Sequence, residues 1–309
     1  VTSSRLSSLA ASATVLSERY QAVGGELRSL GASAVPTVPG ESTILRRFWI
    51  ANVVEMRVDR TALLGLAEAR DVVMIAPNVS IELLDPVSIV DATSASAGAG
   101  SNLQAIGARA LWMRGLTGKG RLVASIDTGV EAIHPALSHN WRGKHGDTAA
   151  SWFDPLNGTS PTDNSGHGTH VMGIMVGSDG ADTIGLAPDA EWICAAVIDR
   201  GRSLSATFAD ILAALQWAVD PDGNPQTMDD VPDVICNSWG VSQQIISPCD
   251  QLFFEAIDNV ESMGVVCVFA AGNEGPNTMS IRNPADRATS PTASFSVGAV
   301  DANVTDYPV

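Results

Sequence analysis

GRLVASIDTGV, residues 120–130, is a near-continuous apolar run that stops at Asp127-Thr128-Gly129. A strand apolar on both faces belongs inside a sheet covered from both sides, which is the habit of parallel sheets. Downstream, similar runs recur in AEWICAAVID (190–199), VPDVICNSWG (231–240), GVVCVFAAGNEG (264–275) and SFSVGAV (294–300). Between them lie helical patterns. HGTHVMGIMVG (167–177) is made of small and apolar residues, and CDQLFFEAIDNVESMG (249–264) ends at Gly264. LSATFADILAALQWAVD (204–220) repeats its apolar residues at Phe208, Ile211, Leu212, Leu215 and Val219, a period of about 3.6. Alternation of this kind predicts an α/β domain, a parallel sheet with helices on both faces. Ligands of such sheets bind beyond the carboxyl ends of the strands.

Upstream the pattern differs. Residues 11–20 read as a short helix ended by Gly24-Gly25. ILRRFWIANVVEMRV (44–58) reads as a strand. Asp59 is placed to cap a helix over RTALLGLAEAR, with Leu63, Leu64, Leu66 and Ala67 on one side. DVVMIAPNVSIELL (71–84) reads as a second strand, completing a small β-α-β unit. DATSASAGAGS (91–101) is small and nearly chargeless, the composition of a linker or a cleavable joint. The expected organisation is a small α+β domain over 1–90, a flexible linker over 91–101 and the larger α/β domain over 102–309.

The 309 residues suit two domains. With 45% hydrophobic and 17% charged residues, the chain has material for a core and is no disordered polyelectrolyte. Eighteen basic against 34 acidic residues give a net charge of −16, which repels phosphate backbones, so no nucleic-acid partner is expected. No apolar run approaches the ~20 residues that span a bilayer, so no membrane partner is expected either. The start, VTSSRLSSLA, shows no signal peptide, and one is read as removed or outside this stretch. Cys194, Cys236, Cys249 and Cys267 form no CxxC pair. Cys194, Cys236 and Cys267 lie in apolar runs and read as buried thiols, with a disulfide to Cys249 left open.

Three polar residues stand where chemistry would be expected. Asp127 ends a strand, His167 opens a helix between glycines, and Asn273 follows VFAAG and precedes Glu274-Gly275. Singly, these are the habits of a helix cap, a structural histidine and a turn. Together they fall on one predicted sheet edge. The flanking glycines would let another group approach His167 closely, and a helix start helps keep the imidazole neutral.

The segments Ile126-Asp127-Thr128-Gly129-Val130, His167-Gly168-Thr169-His170-Val171 and Ala270-Ala271-Gly272-Asn273-Glu274-Gly275, in that order, resemble the subtilisin-like serine proteases (subtilases, peptidase S8). Residues 103–120, Ile184-Gly185-Leu186-Ala187-Pro188 and Asn237-Ser238-Trp239-Gly240 extend the resemblance. The unit at 44–84 resembles the family's inhibitory propeptide of the I9 type. The resemblance implies a serine endopeptidase in which Asp127 orients His167, His167 is the general base, and Asn273 donates to the oxyanion. It implies that Ser238, Trp239 and Gly240 pair with extended substrate, and that Ala270, Ala271 and Gly272 line the pocket for the residue before the scissile bond. His170 would pack under its helix.

The departure is the nucleophile. No Gly-Thr-Ser-Met-Ala-like segment follows Asn273, so the stretch reads as the amino-terminal part of a protease cut before its serine, inactive as it stands. The implied partners are a protein or peptide substrate and the chain's own propeptide. The implied location is secreted. No cofactor is required and no metal ligand is assigned. Calcium is a structural ion to consider, with Asp179, Asp182, Asp220, Asp222, Asp229 and Asp230 as oxygen donors, although solvated acidic loops are the preferred reading of these. Two alternatives stay open: a metallohydrolase using Asp127, His167 and His170 beside Asp163, and a pseudoprotease that keeps only the peptide groove.

Overall fold

The computed structural model describes residues 20–29, 35–83, 101–156, 158–180, 183–198, 207–276, 278–287 and 295–299. Helix α1 covers residues 20–29 and runs through Gly24-Gly25 rather than ending there. The expected strand at 44–58 is a hairpin. β1 (Ser42–Phe48) and β2 (Val53–Val58) pair antiparallel, joined by a 3-10 turn at Trp49–Ala51. The reversal is made at Asn52, whose φ of 47° lies in the left-handed region that Asn tolerates. Asp59 caps α2 (Arg60–Glu68) as expected, accepting the Ala62 N–H at 2.7 Å. The buried side of α2 is Ala62 and Leu66, while Leu63 and Leu64 are exposed.

The second expected strand, 71–84, does not close a β-α-β unit. Residues 72–79 have no regular structure, and Val73 is 99% exposed. Among the segment's described residues only β3 (Glu82–Leu83) forms a strand, paired with the downstream part of the chain, and Ser80 makes an isolated bridge to Thr207. β-branched composition makes a segment fit for a sheet, but a strand forms only where a free edge is in reach. Residues 91–100 lie outside the described residues, and Ser101, the last residue of the expected linker, opens α3 (Ser101–Ala105).

Downstream the expected alternation holds, with a short helix at Ala108–Trp112 and a short strand at Trp152–Phe153 added to it. α4 (Ala108–Trp112), β4 (Leu122–Asp127), β5 (Trp152–Phe153), α5 (His167–Val176), β6 (Glu191–Ala196), α6 (Phe208–Ala218), β7 (Val234–Asn237), β8 (Trp239–Gly240), α7 (Phe254–Ser262), β9 (Val266–Ala270) and β10 (Phe295–Val297) follow in order. The run at 231–240 is split at Ser238 into β7 and β8. Six strands make one parallel sheet in the order β10-β9-β7-β4-β6-β5.

The alternation of the strands sorts the two faces. Leu122, Ala124 and Ile126 of β4 join Ile193, Ile235, Cys267 and Phe269 under α6 and α7. Trp192, Cys194 and Ala196 of β6 turn the other way and pack with Met172 and Val176 of α5. Each fully buried Val, Ile, Leu, Phe or Met among them contributes about 1.5–3 kcal/mol relative to exposure. α6 is started by Asp210, whose Oδ2 accepts the Thr207 N–H at 2.9 Å as in a capping box. The upstream hairpin is not separate from this core. Phe48, Ile50 and Ala51 are buried in the same cluster as α6 and α7. Gln216 Oε1 accepts the Trp49 N–H at 2.8 Å, and Asn259 Nδ2 donates to the Ile50 carbonyl at 2.7 Å.

Candidate active site

β4 delivers Asp127 to the carboxyl end of the sheet, and α5 begins beside it with His167. Asp127 is wholly buried and the His167 side chain is 14% exposed. His167 Nδ1 and Asp127 Oδ1 are 2.7 Å apart. With its proton on Nδ1 the ring donates to the carboxylate, which leaves Nε2 as an acceptor. Asp127 Oδ1 also accepts the Thr128 N–H at 2.6 Å. Close approach of helix and strand requires glycine at 168, where a Cβ would overlap the Gly129 carbonyl oxygen and come within 3.0 Å of Asp127 Oδ1.

Sequence reading weighed Asp163 only as a metal donor, and its structural place is different. Asp163 Oδ1 accepts the Thr128 hydroxyl at 2.8 Å and the Ser165 and Gly166 N–H groups at 3.1 and 3.0 Å. Its Oδ2 accepts the N–H and hydroxyl of Thr169 at 2.8 and 2.7 Å. Burial pushes this carboxyl up, but the bonds from Thr169, Thr128 and Gly166 outweigh it and hold it below the usual range. One carboxylate thus ties the residue after Asp127 to the first turn of α5. The legible clue was an acid four residues ahead of a helix-opening His, with only Asn, Ser and Gly between.

Asn273 stands in an exposed turn after β9, on the same edge as Asp127 but with β7 between their strands. Its N–H donates to Glu274 Oε2 at 3.0 Å. Ala270 ends β9, Ala271 donates its N–H to the Val297 carbonyl at 3.0 Å, and Gly272 takes a φ of 113°. Ser238 is half-buried, its Oγ 3.8 Å from Cys236 Sγ. The Trp239 ring is not in a groove. It is 1% exposed, packed against Phe253 and Phe269, with Nε1 donating to Asn237 Oδ1 at 3.1 Å. Only its backbone reaches the edge, where β8 pairs antiparallel with β3, Trp239 opposite Leu83 and Gly240 opposite Glu82.

His170 is exposed, not packed under α5. Among the described residues no three His, Cys, Asp or Glu side chains are grouped to hold a metal ion, so the metallohydrolase alternative lacks a donor set. Asp182 lies outside the described residues. The acidic loop engages its own partners: Asp220 with Arg28 at 2.8 Å, Asp229 with Arg142 at 2.9 Å, and Asp230 with the Asp222 N–H at 3.1 Å. All four cysteines are free thiols. Cys194 and Cys267 are buried, Cys236 is half-buried and Cys249 is exposed.

The Subtilase family model (Peptidase_S8) matches residues 118–307. The chain belongs to the subtilase family. This subtilase is 33% identical over 288 residues to bacillopeptidase F of Bacillus subtilis (strain 168), covering 85% of this chain and 19% of that protein. It is 32% identical over 262 residues to the minor extracellular protease Vpr of the same strain, covering 82% and 30%. A solved structure titled S41 Psychrophilic Protease is 30% identical, covers 58% of this chain and 53% of that one, and gives a TM-score of 0.41. The subtilase chain therefore spans less than a third of the length of either named relative. No described helix is long and apolar enough to cross a membrane.

Proposed function

We propose that this chain is part of a secreted serine endopeptidase precursor whose hydroxyl nucleophile lies outside residues 1–309. The observation that carries the reading is the 2.7 Å contact between His167 Nδ1 and the buried Asp127 carboxylate. In the longer protein, Asp127 holds the imidazole in one tautomer and stabilises it once protonated. His167 takes the proton of a serine hydroxyl and returns it to the leaving amine. Asn273 donates its side-chain amide to the oxygen of the tetrahedral intermediate. Extended substrate lies along Ser238, Trp239 and Gly240, with Ala270, Ala271 and Gly272 behind the residue that precedes the cleaved bond. No cofactor takes part in these steps.

Residues 1–90 act as an inhibitory propeptide in this reading. Two contacts support it: β3 occupies the β8 edge, and the hairpin turn sits on α6 and α7. Processing between Asp91 and Asn102 frees that edge, and a mature amino terminus well before Asp91 or beyond Leu111 would refute the assignment. The decisive test of the enzyme is fluorophosphonate labelling of the longer gene product. A Ser-His-Asp enzyme labels, and His167→Ala abolishes the label. Peptide binding by an unlabelled protein supports instead the second reading, a pseudoprotease that keeps only strand pairing at β8.

A further inference from the structure

β7 and β9 run side by side, and beyond their carboxyl ends the two chains continue as β8 and as Ala271-Gly272. A third segment lies across both. The Arg282 N–H donates to the Ala271 carbonyl at 3.0 Å, and one residue on, the Val241 N–H donates to the Asn283 carbonyl at 2.8 Å. The Arg282 side chain is wedged between two glycines. A Cβ on Gly240 would stand 2.9 Å from Arg282 Cβ and 3.1 Å from its Cδ, and a Cβ on Gly272 would stand 3.1 Å from its Cγ. Gly240 therefore makes room for the arginine stem, and Gly272 for that stem and for Glu274 Oε2, which would stand 2.7 Å from its Cβ. At its end the guanidinium meets Glu274, with Nε 2.7 Å and Nη2 2.5 Å from Glu274 Oε1.

The two halves of that ion pair are held unequally. The Arg282 side chain is 16% exposed, with its stem packed and its backbone bonded on both sides, since its carbonyl accepts the Asp286 N–H at 3.0 Å. Glu274 is 43% exposed on a turn. The cation is the fixed member and the carboxylate the exchangeable one. An arriving carboxylate can take the place of Glu274 at the same guanidinium fork. A neutral side chain leaves the pair as it is, and a cationic one must compete with the fixed guanidinium for Glu274.

We propose that Arg282 is a specificity-determining residue that favours peptides with Glu or Asp immediately before the cleaved bond. This rests on the reading of Ala270–Gly272 and Ser238–Gly240 as the walls of that pocket. The test is a matched set of quenched peptides carrying Glu, Gln, Leu or Lys at that position, assayed with the longer, processed protein. Cleavage of the Glu peptide should exceed that of its isostere Gln by about 10-fold or more in kcat/KM, the effect of a charge-assisted hydrogen bond. The Lys peptide should be the poorest. Arg282→Gln should bring the Glu/Gln ratio close to one while the Leu peptide is still cleaved. A wild-type Glu/Gln ratio within twofold overturns the proposal without need of any variant, and so does a high ratio that survives Arg282→Gln. No cleavage of any peptide, together with no fluorophosphonate label, removes the protease reading and this proposal with it. Cleavage without acidic preference removes this proposal alone.

Discussion

The six-stranded sheet and the upstream hairpin are built from similar β-branched and aromatic runs, yet they are held differently. β4 is flanked by β6 and β7 and covered on both faces, so nearly every residue of LVASID is buried. β1 and β2 pair only with each other, and most of β1 is exposed. What secures the hairpin is its turn: Phe48, Ile50 and Ala51 are buried against helices that belong to the sheet. The sheet carries its own core, whereas the hairpin borrows one. Its burial is concentrated at that turn, which suits the propeptide role proposed above.

The largest effect expected from this contrast is chemical. In the longer protein, Asp127→Asn should lower kcat about 10⁴-fold by leaving the imidazole in the wrong tautomer, measured on a peptide substrate. A loss below tenfold would break the link between the sheet edge and catalysis. Next comes stability. Phe269→Ala, in the shared core, should cost about 3–5 kcal/mol in denaturant unfolding, whereas Val73→Ala, in the exposed stretch after α2, should stay within about 0.5 kcal/mol. Equal costs would erase the difference drawn between the two regions.

Ile50→Ala addresses the borrowed core directly. It should cost about 2–4 kcal/mol, and it should loosen residues 42–83 in hydrogen exchange before the sheet responds. Asp163→Asn should cost about 1–2 kcal/mol at pH 7. Because the folded carboxyl lies below its unfolded value, its contribution is present above about pH 3.9 and fades as pH falls through the lower folded value. The variant and the wild type should therefore converge in stability as pH falls through that lower value, and a gap that widens on acidification would contradict the bonding described. Arg46→Ala should be the mildest of the polar changes. Its ion pairs with Glu55 at 2.5 Å and Asp210 at 2.8 Å are partly exposed, so the loss should be at most about 1 kcal/mol and should shrink in salt.

Much of the sheet was legible because its signals are local. Continuous apolar strands, a 3.6-residue period from Phe208 to Val219 and a stop at Gly264 each announce their own element. The upstream errors have one cause. Whether 44–58 is one strand or two depends on what Trp49–Ala51 packs against, and whether 71–84 is a strand depends on which edge is free. Neither α6 and α7 nor β8 is near those residues along the chain. The site divides the same way. Asp127 and His167 were readable because their segments resemble a known family, their places at a strand end and a helix start being ambiguous alone. The roles of Asp163 and Arg282 were not, because each acts through partners that only folding gathers.

The order of residues alone determined the element types of β4, α5, β6, α6, α7 and β9, the pairing of an acid with a histidine, and the family they belong to. Only tertiary structure decided that the Trp239 ring faces the core, that β3 lies on β8, and that one arginine fills the gap between two glycines. The reason is physical. Periodicity and capping are written within a few residues, whereas burial and edge pairing are settled by whichever distant surface arrives.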